Sequence, residues 1–174
     1  MAKTIFLHIG THKTGSTAIQ HCIHDNMDAL ISAGYVSYGQ ATGKANQSDI
    51  YLATMRQNRD SFARIRSGKN YGYGFRERTR RRIQGFICET GNDKIIITTE
   101  GLSLLRFDDE FFALKELLDA DVNAVRVIVY VRERQGFLRS YRLQIEKLPG
   151  RTRSADRASN TCQSSSTSGP SATS

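Results

Sequence analysis

Lys3-Thr4-Ile5-Phe6-Leu7-His8-Ile9-Gly10-Thr11-His12-Lys13-Thr14-Gly15-Ser16-Thr17-Ala18-Ile19 opens as a β-rich apolar run, crosses a loop with a glycine near each end, and runs on into a polar-apolar segment. In that segment Ala18, Ile19, Cys22, Ile23, Met27, Leu30 and Ile31 recur at helical spacing. The reading is strand, loop, helix. A loop of this kind gathers backbone N–H groups at the positive end of a helix dipole, which is where phosphate binds. Thr11, His12, Lys13, Thr14, Gly15, Ser16 and Thr17 are the candidate cradle. Lys13 adds a mobile ammonium, and Ser16 and Thr17 either donate hydroxyl hydrogen bonds or cap the helix. A plain strand-to-helix turn is the alternative at this point.

Working outward, Tyr35-Val36-Ser37-Tyr38 reads as a short strand, and Gly39 to Gly43 as a loop. A helix is expected between Gln47 and Ile65, broken by the polar run Arg56-Gln57-Asn58-Arg59-Asp60. Phe75 to Glu89 reads as a helix with Ile83, Phe86 and Ile87 inward and its arginines in solvent. Lys94 to Thr99 is an almost continuous β-branched run ending at Glu100-Gly101, and Val125 to Val131 is a second continuous apolar run ending at Arg132. Asp108 to Leu118 between them is an amphipathic helix with an acidic first turn, and Arg132 to Lys147 is a further helix. Three strands buried on both faces and alternating with helices predict an α/β domain with a parallel sheet flanked by helices. Ligands bind at the carboxyl ends of such strands, so Gly10 to Thr17, Glu100-Gly101 and the segment from Arg132 are expected to converge.

A chain of 174 residues is one domain by length, with a core over residues 1–148. Residues 149–174 turn Ser/Thr-rich and cannot bury enough apolar surface to offset ordering entropy, so they are expected to be a disordered tail. The net charge of +8 implies an anionic partner without choosing one. The basic run from Arg64 to Arg82, interleaved with Tyr71, Tyr73 and Phe75, admits either a solvated helix face, a rim for an anionic ligand, or single-stranded nucleic acid. Cys22, Cys88 and Cys162 show neither metal nor disulfide spacing, and His21-x-x-His24 stands alone. With no signal peptide or spanning segment visible, a soluble, cytoplasmic protein is expected.

The loop departs from a Walker A sequence, because Lys13 precedes Gly15 by two residues instead of following it. The string Lys13-Thr14-Gly15-Ser16-Thr17 after an apolar strand resembles the 5′-phosphosulfate loop of the sulfotransferases, in the style of their carbohydrate and bacterial branches. Val127 to Gln144, VIVYVRERQGFLRSYRLQ, resembles the second signature of that family, in which an arginine after a strand and a serine eight residues on hold the donor's 3′-phosphate. Here these are Arg132 and Ser140.

The resemblance covers about Lys3 to Lys147. It implies a P-loop-like fold and 3′-phosphoadenosine 5′-phosphosulfate (PAPS) as co-substrate, with the product nucleotide 3′-phosphoadenosine 5′-phosphate (PAP) and no metal. It implies Lys13 on the bridging and leaving oxygens, and an acceptor hydroxyl or amine, a carbohydrate among the candidates. Glu100 matches the base of several carbohydrate sulfotransferases; His8, read as a packed strand residue, and His12, in the loop, are the alternatives. Family members continue for about another hundred residues, so the chain reads as a C-terminally truncated core, slow or inactive alone and prone to self-association through an uncovered sheet face. A P-loop kinase or NTPase is the rival enzyme reading. It is disfavoured by the position of Lys13 and by strands that end at Gly10, Glu100 and Arg132, none of them a magnesium-binding aspartate.

Overall fold

The computed structural model describes residues 3–11 and 13–146; the tail expected over 149–174, and His12, lie outside the described residues. Four strands, β1 (Lys3–His8), β2 (Tyr35–Ser37), β3 (Lys94–Thr98) and β4 (Val122–Ile128), form one parallel sheet in the order β2-β3-β1-β4. The helices are α1 (Ser16–Asp25), α2 (Met27–Ser32), α3 (Tyr38–Thr42), α4 (Ser48–Thr54), α5 (Phe62–Ser67), α6 (Tyr73–Glu89), α7 (Asp108–Leu118) and α8 (Arg134–Glu146), with a 3-10 turn at Glu100–Leu104. This is an α/β fold with helices flanking a parallel sheet. The step from β1 to β2 runs one way across the sheet, while β2 to β3 and β3 to β4 run the other. With right-handed crossovers, α1 and α2 then lie on one face and the helices from α3 to α7 on the opposite one.

The second face holds the core. Ile5 and Leu7 of β1 pair in register with Ile95 and Ile97 of β3, and all four are buried. They pack with Tyr38, Ile50, Ile83, Ile87 and Leu117, which the helices present at turn spacing. Lys3 is buried at the other end of β1, where its Nζ donates to the carbonyls of Ile87 and Cys88 and so neutralises the C-terminal pole of α6.

Three expectations need correction. Val125 to Val131 is not a strand buried on both faces: β4 pairs only with β1 among the described residues, stops at Ile128, and leaves Val125 and Val127 44% and 56% exposed. Its apolar run occupies a sheet edge, where one row of backbone groups lacks a neighbouring strand and the residues from Asn123 to Ile128 are exposed on both faces. Gly39 to Gly43 is not a loop but the body of α3, capped by Ser37 at its start and closed by Gly43 in the left-handed region. The apolar stretch after Gly15 is two helices, because Asn26 leaves helical geometry and its side chain folds back onto the Cys22 carbonyl.

The break expected at residues 56–60 is real, and two buried charges hold it. The Arg64 guanidinium donates to the carbonyls of Leu52, Met55, Arg56, Gln57 and Arg59, satisfying the C-terminal end of α4. Glu110, fully buried in the first turn of α7, accepts from the Arg59 guanidinium at 2.5 Å and from the backbone N–H groups of Arg56 and Arg106, both at 2.9 Å. Burial pushes its carboxyl up, but those backbone donors and Arg59 outweigh it and hold it below the ordinary carboxylate value.

Glu110→Gln should therefore cost about 3 kcal/mol at neutral pH, since the fully buried carboxylate gives way to a neutral amide facing the half-buried Arg59 guanidinium and the backbone donors of Arg56 and Arg106. A carboxyl held low when folded contributes stability above its ordinary pKa of 4.5 and loses it as pH falls through the folded value. Urea denaturation of both proteins should show the gap closing in acid. An equal gap at pH 7 and pH 3 would mean that packing, not charge, carries the residue.

Candidate functional site

At the carboxyl edge of the sheet the chain leaves β1 between its two neighbours. The Thr99 N–H donates to the His8 carbonyl at 2.9 Å on the β3 side, and the Ile9 N–H donates to the Ile128 carbonyl at 3.0 Å on the β4 side. The loop that follows is therefore clamped by both adjoining strands. Gly10 lies directly over the His8 ring, where a Cβ would stand 2.8 Å from Nε2. Lys13 has φ of 66° and Gly15 has φ of 84°, so the loop turns twice through the left-handed region before α1 begins. For Gly15 this conformation is free of strain; for Lys13 it is a local cost.

Gly15, not Ser16 or Thr17, occupies the N-cap of α1. Ser16 is buried, and its hydroxyl donates across the sheet edge to Glu100 Oε2 at 2.5 Å. Thr14 closes the loop on itself by donating to the Thr11 carbonyl at 2.6 Å, and Thr11 donates to the Tyr130 carbonyl at 3.1 Å. The side chains of Lys13 and Thr17 are exposed at the mouth.

The second segment reaches the same place. The Arg132 guanidinium donates to the Lys13 carbonyl at 3.1 Å and to Ser140 Oγ at 3.3 Å. The backbone beyond Arg132 is held by Glu133, whose carboxylate accepts from the N–H groups of Gln135 and Gly136 at 2.6 and 2.8 Å and so begins α8. Thr11, Lys13, Thr14, Gly15, Ser16, Glu100, Arg132 and Ser140 are thus brought together by three strand ends, as the topology leads one to expect.

His8 is buried under the loop, with Nδ1 2.8 Å from Thr98 Oγ1 and its ring edge-on to Tyr130. Burial lowers its pKa below 6.5, with the Glu100 charge working against that shift, so the ring is neutral at pH 7. It is a packed residue, as its place in the strand suggests.

Glu100 also faces a cavity of about 520 Å³ bordered by Tyr51, Arg59, Asp60, Arg106 and Tyr141. Composition and spacing gave no signal for these residues; the cavity arises where α4, the 3-10 turn and α8 meet. Gly101 is the exception, since it follows Glu100 at the strand end and its role is steric: a Cβ there would overlap the Tyr51 ring that walls the cavity.

The arginines of α6 lie elsewhere. Arg80 and Arg81 pair with Glu77 at 2.8 and 2.9 Å, Arg76 with Glu116 at 2.8 Å, and Arg82 faces Asp49 at 3.8 Å. Hydrogen bonds from Arg80 and Arg81 hold the Glu77 carboxyl at about 2. The helix face is laced with ion pairs, which is how a solvated basic helix reads.

No helix among the described residues is long and apolar enough to cross a membrane. No family model, curated protein or solved structure matches this chain.

Proposed function

We propose that the chain binds PAPS across the β1, β3 and β4 carboxyl edge and directs its sulfuryl group to a hydroxyl or amine acceptor, with carbohydrates among the candidates. The observation that carries this reading is the Arg132 guanidinium, which spans from the Lys13 carbonyl to Ser140 and so joins two segments more than a hundred residues apart at one corner of the sheet edge. The loop amides and Ser16 would take the 5′-phosphate, and Arg132 with Ser140 the 3′-phosphate. In transfer, the acceptor oxygen or nitrogen forms a bond to sulfur while the bond from sulfur to the bridging phosphate oxygen breaks. The acceptor's proton passes to Glu100, and Lys13 meets the negative charge that develops on the departing PAP. No step requires a metal.

A second reading has one observation in its favour. A loop hydroxyl beside a carboxylate at a strand end, here Ser16 and Glu100, is also the pair that holds magnesium in P-loop nucleotide hydrolases. One titration separates the two. PAP should stabilise the protein against heat more than ATP with magnesium does, because ATP lacks the 3′-phosphate, and Arg132→Ala should weaken PAP about tenfold by removing a charge-assisted contact. Equal stabilisation by PAP and ATP, with Arg132→Ala silent, would remove the sulfuryl-donor reading.

A further inference from the structure

The Ser16 hydroxyl carries a single proton, and the structure already assigns it. It lies 2.5 Å from Glu100 Oε2, the short distance of an O–H donor on a carboxylate, and Ser16 itself is buried. The same hydroxyl stands in the first turn of α1, immediately after Gly15, where a phosphate seated on the loop amides would need it as a donor. Phosphate and carboxylate are both anions, and one proton serves one of them at a time.

We infer that Ser16 is a shared donor which couples the two halves of the site: it holds Glu100 in the empty protein, and a bound phosphate takes it over. The inference rests on the loop being the donor-phosphate site proposed above. While Ser16 donates to Oε2, that hydrogen bond weakens the oxygen as a proton acceptor toward the neighbouring cavity. Once phosphate withdraws the hydroxyl, Oε2 loses that donor and becomes the stronger proton acceptor, so a seated donor favours proton transfer. The coupling also means that Glu100 opposes donor binding, and that the opposition runs through Ser16 and not merely through charge.

The test is a double-mutant cycle on the full chain, with PAP and ADP titrated separately by calorimetry in EDTA. Replacing Glu100 by Ala should tighten PAP about tenfold when Ser16 is present, the worth of one charge-assisted hydrogen bond, and by less than about twofold when Ser16 is Ala. Ser16→Thr, which keeps the hydroxyl, should restore the full difference. If Glu100→Ala fails to fold, Glu100→Gln gives the same contrast in weaker form, because a neutral amide oxygen is the poorer acceptor. An equal gain with and without the Ser16 hydroxyl would reduce the effect to charge repulsion and overturn the coupling. Weaker PAP binding in Glu100→Ala would overturn it as well. The donor reading fails separately: if PAP and ADP bind equally while the Ser16 dependence persists with both, the coupling stands and the 3′-phosphate assignment does not. Binding of neither nucleotide to any variant overturns both.

Discussion

Glu100→Gln should leave PAP affinity no lower than in the parent protein and slow sulfuryl transfer by about 10²- to 10⁴-fold, the usual range for removing a general base. The substitution keeps the size of the side chain and an oxygen able to accept from Ser16, so the 3-10 turn at Glu100–Leu104 keeps its anchor. What it removes is the ability to take a proton at the wall of the cavity bordered by Tyr51 and Tyr141. Single-turnover transfer from PAPS, measured beside PAP calorimetry, separates chemistry from binding. Undiminished transfer would reassign the base. His8 is the poorer substitute, because it is packed against Gly10 beneath the loop and does not line that cavity.

Much of this arrangement is legible in the order of residues, for a physical reason. β1 and β3 are interior strands of a parallel sheet, so both read as apolar runs, and the loops after them must emerge on one edge. Lys13, Ser16, Glu100 and Arg132 fall at or just beyond strand ends, which is why chain position alone brings them near one another. The same rule misjudges β4. Val125 and Val127 are as apolar as Ile95 and Ile97, but burial depends on a neighbour beyond the strand, and no local pattern reports whether one is there. The cavity residues were invisible for a related reason. Arg59 is drawn to this wall by its ion pair with the buried Glu110, fifty-one residues on, a long-range contact that no local spacing encodes.

The most basic part of the chain shows the opposite lesson. Arg64 to Arg82 admits an anion surface in sequence beside the solvated helix face, and the pairing favours the latter: Arg64 is consumed by main-chain carbonyls and Arg76, Arg80 and Arg81 by acidic side chains. Counting cations overstates what such a run can offer a ligand. The cations left at the sheet edge are fewer but better placed: Lys13 is exposed at the loop mouth, and Arg132 is oriented by Ser140 and the Lys13 carbonyl.

Lys13→Ala should cost about 10²- to 10³-fold in transfer while changing PAP affinity only a few-fold. PAP has already lost the sulfuryl group, so an ammonium that acts on the bridging oxygen makes its strongest contact in the transition state and not with the product nucleotide. The backbone of Lys13 offers an independent control. Its φ of 66° carries the left-handed strain of a residue with a Cβ, and alanine retains that strain while glycine does not. After the extra entropy that glycine gains when unfolded is subtracted, Lys13→Gly should be more stable than Lys13→Ala by up to about 1 kcal/mol, or roughly 2 to 4 °C in melting temperature. Both variants lack the ammonium, so both should show the same loss of transfer. If glycine recovers transfer, the loop's shape and not the charge is what Lys13 contributes. A fall in PAP affinity as large as the fall in transfer would make Lys13 a phosphate anchor that does not distinguish the transition state from the bound nucleotide.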